Sequence, residues 1–186
     1  DAIDNTDVEY TPAGSTSPIE ASQRVNANSA NYQGTEGAVE IRFKGWQIYN
    51  NAMWMKGEFH GAQGESHPAR RVPPLSGNSM VRYEPPGQRW YIGAGLRWAT
   101  RQDRLHPDDE KDLRICETSD YSGEKRSSCD GTPGYQVYDV AGGMEFIERI
   151  DVDLSVRNLT DVEYRVHGSG YDAAGVDFRA TLRYRQ

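Results

Sequence analysis

The residues of this chain that bear reactive groups are four histidines, two cysteines and a run of acids. The histidines, His60, His67, His106 and His167, fall in or beside segments of loop composition, and no nucleophile motif such as G-x-S-x-G accompanies them. The acidic run at residues 108–112 lacks the spacing of a calcium loop, so we interpret it as a solvated surface. The sequence therefore predicts no enzyme, no resident metal and no cofactor.

The two cysteines, Cys116 and Cys129, lie in a polar segment rich in Ser, Asp, Glu and Gly. No further Cys or His stands at the spacing of a zinc site. A disulfide between them is the favoured interpretation, and two free thiols are the alternative.

Composition and charge exclude several classes of protein. The chain has 186 residues with 21 Lys and Arg against 28 Asp and Glu, a net charge of −7, so a nucleic-acid partner is not expected. Nowhere do about 18 apolar residues follow one another, as a membrane-spanning helix requires. The aromatic content of 10%, with 19 Gly and 9 Pro spaced like turn residues, favours an ordered β protein.

Alternation of apolar and polar residues predicts about seven strands. The clearest case is the C-terminus, where every second residue from Val176 to Tyr184 is apolar and the residues between them are polar. Comparable alternation lies near residues 35–43, 46–58, 75–84, 90–98, 138–146 and 150–157. Residues 1–27 are polar and without a period, which predicts a loop or a disordered lead.

The connections between these strands come in two lengths that alternate along the chain. Tight turns are predicted at residues 44–45, 85–87 and 148–149, and long polar loops at residues 61–74, 103–134 and 163–174. Short turns at one end and long loops at the other are typical of the wall of an outer-membrane β-barrel.

The apolar stripe of one strand has a tryptophan at each end, Trp90 and Trp98, as in the aromatic girdles of such barrels. Alternation by itself does not decide which face is wet, because a soluble β-sandwich alternates in the same way. A β-sandwich carbohydrate-binding module with stacking aromatic side chains is therefore the alternative to the barrel wall.

The C-terminal part also resembles a known family. The stretch LSVRNLTDVEYR at residues 154–165 and the last strand from Gly175 resemble the C-terminal end of TonB-dependent outer-membrane receptors, in which an N-L-[TF]-D-x-x-Y element precedes the final strand. The resemblance covers about residues 30–186. The chain departs from the family in ending on Tyr184-Arg185-Gln186, where these receptors usually end on Phe.

The resemblance implies an all-β fold, in which residues 28–186 are about seven C-terminal strands of an antiparallel, up-and-down transmembrane barrel of 22 strands. It implies a location in the outer membrane of a Gram-negative bacterium, with lipid outside. The plug domain, the remaining strands and the TonB-binding segment are absent from this sequence, so the chain is expected to be a fragment.

The activity implied is TonB-powered uptake of a scarce ligand, most commonly an iron chelate such as a siderophore or haem. Five loop residues offer aromatic and cationic groups that suit an anionic chelate, and we expect ligand contacts from Arg104, His106, Tyr121, His167 and Tyr171.

Overall fold

The regular structure is entirely β in the computed structural model, which describes residues 2–11, 17–27, 29–61, 64–112, 114–116 and 129–185. The strands within these ranges are β1 (Ala2–Tyr10), β2 (Ile19–Ala27), β3 (Ser29–Phe43), β4 (Trp46–His60), β5 (Ser66–Pro68), β6 (Ser76–Tyr83), β7 (Trp90–Ala99), β8 (Tyr135–Ile147), β9 (Ile150–Arg157) and β10 (Asp177–Tyr184). Over the same ranges, no helix is long and apolar enough to cross a membrane.

Seven long strands form one antiparallel sheet in the order β3-β4-β6-β7-β8-β9-β10, and the short β5 pairs with β4. The long strands therefore follow one another in space as they do along the chain, which is an up-and-down arrangement. The sheet is open, with β3 and β10 at its edges. The prediction of about seven antiparallel strands is confirmed. β3 begins at Ser29, well before its predicted segment at residues 35–43, and the bounds of the other six lie within a few residues of the alternating segments.

The structure of the N-terminal segment, residues 1–27, differs from the loop that the sequence predicts. The structure places β1 and β2 here and pairs them as an antiparallel hairpin, from Ala2 opposite Ala27 to Tyr10 opposite Ile19. The prediction was wrong because it relied on apolar periodicity, whereas a hairpin is held by main-chain hydrogen bonds that any non-proline sequence can make. Pro18 lies outside the two strands, immediately before β2.

The register places the apolar residues of all seven long strands in line. One transverse row of paired residues crosses the sheet through Ile41, Ile48, Val81, Ala94, Val140, Val156 and Phe178. A shift of one residue in any strand would replace its member of this row by a residue of the opposite face. The common register thus gives the sheet one apolar face and one polar face.

The apolar face is uncovered along much of its area. Phe178 and Leu182 are 74% and 72% exposed, and Ile92 and Leu154 are 59% and 58% exposed. The core of a soluble β-sandwich would bury such side chains against a second sheet. Their exposure is the arrangement expected of strands that face lipid.

Aromatic rings border this face beside the tight turns. Trp46 lies 4.6 Å from Tyr83 between ring centroids, and Tyr83 lies 6.1 Å from Trp90. These three rings come from neighbouring strands β4, β6 and β7. Their position at the tight-turn end fits the girdle role predicted for Trp90. The role predicted for Trp98 at the other end stays a prediction.

The polar face carries hydrogen bonds and ion pairs between strands. The Tyr91 hydroxyl donates to Asp153 at 2.7 Å, and the Arg82 guanidinium stacks 3.6 Å from the Tyr91 ring centroid. Nearer the turns, Arg185 pairs with Asp151 at 2.7 Å. Cross-strand pairs of this kind stabilise a polar barrel interior and keep it wettable.

Candidate functional site

The long connections between the strands all lie at one end of the sheet. Residues 61–75, 100–134 and 158–176 connect the strands there, while the opposite end has tight turns. The turn between β3 and β4 has positive φ angles at both Lys44 (45°) and Gly45 (86°), the geometry of a two-residue hairpin turn. Side chains of long loops can converge on a ligand, whereas turns of two or three residues offer few side chains for this.

The first two long loops are joined by a buried carboxylate. Asp109, 1% exposed, accepts a hydrogen bond from Arg70 Nε at 3.2 Å and another from the Arg71 amide at 2.7 Å. Beside it, Arg71 Nη2 donates to Asp112 at 3.1 Å. Asp109 and Asp112 belong to the acidic run that the sequence had assigned to a solvated surface, and here they hold the loops together.

His106 has a structural position in this loop assembly. It is 7% exposed, and its Nδ1 accepts a hydrogen bond from the Asp108 amide at 3.0 Å. Its ring meets those of Phe59 and His67 edge to face, with centroids 6.1 and 5.8 Å away. Burial makes His106 a packing residue of the loops, so its position lends no support to the predicted ligand contact.

His167 links the third long loop to the second. Its Nδ1 lies 2.9 Å from the hydroxyl of Thr132, whose residue forms an isolated antiparallel bridge with Gln102. Burial lowers the pKa of His167 below its ordinary value, and the nearby Asp109 carboxylate partly opposes this effect. The imidazole is therefore held mainly in its neutral form near pH 7, in which it can contact a polar or metal-bearing ligand.

Two further predicted contact residues, Arg104 and Tyr171, lie in different environments. Arg104 Nη2 lies 3.7 Å from Glu58 Oε1, so this cation faces a carboxylate. Tyr171 is 72% exposed at the surface of the third loop. Tyr121 lies outside the described residues. The five residues stay predictions, of which Tyr171 has the exposed position that a ligand contact requires and His167 is half-buried.

The two cysteines are joined in the structure. Cys116 and Cys129 form a disulfide with their Cα atoms 5.6 Å apart, and they pack against Leu105 and Ile115 in a small apolar cluster. Across the ranges that the structure describes, no group of three or more His, Cys, Asp or Glu residues is placed to hold a metal ion.

A cleft of about 470 Å³ lies between the second and third loops. The disulfide and residues 130–134 line one side, and residues 163–165 with Asp172 line the other. Within the cleft wall, Arg165 pairs with Asp172 at 2.8 Å. The cleft lies between the loops that carry Arg104 and Tyr171, although neither residue lines it. The size and mixed polarity of its lining suit a small polar ligand.

The sequence had not assigned a structural role to the wall residues that support the third loop. Arg97 forms a bidentate ion pair with Asp139, with nitrogen to oxygen distances of 3.0 and 3.2 Å, and its Nη1 donates to the Tyr164 hydroxyl at 2.9 Å. Asp139 Oδ1 also accepts from the Asn158 amide at 2.9 Å. Asn158 and Tyr164 belong to the element quoted from residues 154–165, which signalled the family without indicating these contacts.

Together the open up-and-down sheet, its exposed apolar face and its one-sided long loops define a segment of a β-barrel wall. A family model of the TonB-dependent receptor-like β-barrel matches residues 1–159, and the chain belongs to this family. Receptors of this family are transporters and not enzymes, in agreement with the expectation from the sequence.

Solved structures share the fold. The copper transporter OprC matches with a TM-score of 0.64 and 17% identity over 89% of this chain and 25% of its own. The FrpB iron transporter from Neisseria meningitidis (F3-3 variant) matches with a TM-score of 0.64 and 17% identity over 88% of this chain and 25% of its own. This chain thus spans about a quarter of the length of either transporter. A comparison with curated protein sequences gave no match.

Proposed function

We propose that the chain forms part of the wall of an outer-membrane receptor that takes up a scarce ligand with energy delivered by TonB. The observation that carries this proposal is the exposed apolar face shared by all seven long strands. Seven strands at a spacing of about 4.8 Å give an apolar surface roughly 29 Å wide, larger than soluble monomers leave open to water. Lipid is the environment in which such a face is stable.

The same geometry supports the location and the partners. An apolar outer face and a charged inner face suit the outer membrane of a Gram-negative bacterium, with lipid on one side and a plug domain on the other. The open edges at β3 and β10 present unpaired main-chain groups, so further strands of the barrel are expected to pair there. By family membership, TonB would act through the plug and its N-terminal segment.

Within this function, the ligand we favour is an iron chelate, either a siderophore or haem. One of the two similar structures is described as an iron transporter and the other as a copper transporter, so metal uptake is common to both descriptions. The long-loop end adds an accessible tyrosine, Tyr171, and a neutral imidazole, His167. Both groups are suited to contact an aromatic or metal-bearing ligand.

Loop replacement in the full-length protein tests the proposal in whole cells. Residues 61–74 and 163–174 are each replaced by Gly-Ser linkers at matched surface expression, and uptake of radiolabelled ferric hydroxamate, ferric catecholate and haem is measured. We expect the wild type to take up at least one of these in a TonB-dependent manner and both replacements to reduce it.

The tight turn at residues 85–87 provides the matched control, because it lies at the opposite end of the sheet. Its replacement should leave uptake unchanged. Wild-type uptake that persists without TonB would contradict the transport mechanism, and uptake of none of the three probes would contradict the iron chelate as ligand.

A further inference from the structure

The third long loop, residues 158–176, is closed at its base by one asparagine. Asn158 is 1% exposed, and its side chain donates to the carbonyls of Val162 and Ala174 at 2.9 and 3.3 Å while accepting from the Val162 amide at 2.9 Å. These bonds tie the start of the loop to its end. Asn158 adopts a φ of 51°, a left-handed conformation that asparagine tolerates better than most residues.

Two further contacts continue this closure along the loop. Asp161 Oδ1 accepts from the Val176 amide at 3.0 Å, and the Ala173 amide donates to the Tyr164 carbonyl at 2.8 Å. The base of the loop is therefore a small unit with its own hydrogen bonds. Its orientation depends on what joins that unit to the strands beside it.

Asp139 on β8 and Arg97 on β7 make that connection. One carboxylate oxygen of Asp139 accepts from the Asn158 amide, and the guanidinium of Arg97 reaches both Asp139 and the Tyr164 hydroxyl. The Tyr164 ring also lies 4.5 Å from that of Tyr135, between centroids. A charged pair on the polar face thus contacts both the first residue of the loop and the tyrosine six positions later.

We propose that Asp139 and Arg97 are positioning residues, which fix the third loop over the cleft beside Thr132 and thereby set the affinity of the ligand. The statement about affinity rests on the proposed function, whereas the statement about loop position does not. Hydrogen bonds to charged groups are stronger than those between neutral groups, so this ion pair can hold the loop at a defined angle. His167 then contacts Thr132 in the wall of the cleft because its loop is held there.

Hydrogen exchange measured by mass spectrometry on the full-length protein tests the loop position. Asp139→Ala removes the acceptor of both Arg97 and the Asn158 amide, and we expect peptides from residues 158–176 to exchange at least about tenfold faster. Asp139→Asn keeps an oxygen for the Asn158 amide, so it should give a smaller increase. Tyr164→Phe, which removes only the bond from Arg97, should also give a smaller increase.

Asp153→Ala is the matched control, because Asp153 also accepts a tyrosine hydroxyl bond on the polar face but lies toward the tight turns. It should leave exchange in residues 158–176 unchanged. Unchanged loop exchange in Asp139→Ala would overturn the proposal. An equal rise across β8 and β9 would also overturn it, because that result indicates general destabilisation of the wall.

Uptake kinetics separate this proposal from the proposed function. With whichever of the three iron probes the wild type takes up, Asp139→Ala should raise KM at least about fivefold while keeping the maximal rate at matched expression. A local rise in exchange with an unchanged KM would overturn the link to ligand affinity. If the wild type takes up none of the probes, the proposed ligand fails, and the exchange data still decide the loop position.

Discussion

Replacing Asp109 should loosen the first two long loops. Its side chain is 2% exposed, and it accepts from Arg70 Nε and the Arg71 amide at 3.2 and 2.7 Å. Asp109→Ala removes both bonds, but Arg70 is 42% exposed and can turn to water, so we count only the bond to the amide. A hydrogen bond to a charged partner contributes about 1.5–3 kcal/mol, which corresponds to roughly 10- to 150-fold faster amide exchange.

The assay is hydrogen exchange of peptides covering residues 66–72 in the full-length protein. Asp108→Ala is the control, because Asp108 is 33% exposed and lies 3.5 Å from Arg70 Nη1. An exposed ion pair contributes less than about 1 kcal/mol, so the control should change exchange by less than about fivefold. Equal effects of the two substitutions would refute the view that burial makes Asp109 the junction between these loops.

Three further predictions concern the disulfide, the lipid face and the third loop. Cys116 and Cys129 should resist alkylation in native protein under non-reducing mass spectrometry, and their loop closure should add about 3 kcal/mol in the chain-entropy model. Two alkylated thiols would contradict the bond. Leu182→Arg should destabilise the folded barrel by about 2–4 kcal/mol, measured by denaturant titration in lipid, and Arg183→Leu by clearly less. The reverse order would mean that Arg183 faces the lipid and Leu182 the barrel interior. Because the pKa of His167 is lowered in the folded loop, the unfolded loop binds the proton more readily. The stability of the loop should therefore be highest above about pH 6.5 and should decline as the pH falls below it. Amide exchange of residues 163–174 measures this, and His167→Gln should remove the dependence.

Most of the wall could be predicted because lipid and lumen impose a period of two on each strand. β9 coincides with the alternating segment at residues 150–157, and β7 exceeds its segment at residues 90–98 by one residue. The hairpin of β1 and β2 escaped prediction, since main-chain pairing leaves no mark on a polar sequence. Residue type reports the environment of a side chain, and only indirectly the pairing of the backbone.

The contacts among the loops could not be predicted from the sequence. Arg70 and Asp109 are 39 residues apart along the chain, and nothing in the intervening composition links them. His106 illustrates the consequence: its residue type suggested a ligand contact, but the fold packs it against Phe59 and His67. The element at residues 158–164 identified the family, yet the hydrogen bond from its Asn158 amide to Asp139 follows from the register of β8 beside β9.

The most direct test of the account is a nitroxide scan along β7 in the full-length protein reconstituted in lipid bilayers. β7 has paired strands on both sides, so neither sheet edge affects it. Collision rates with oxygen, which concentrates in lipid, should peak at the even positions from Trp90 to Trp98. Rates with a water-soluble nickel chelate should peak at the odd positions from Tyr91 to Arg97. The opposite phase, or equal rates at odd and even positions, would contradict the assignment of β7 to a lipid-facing barrel wall.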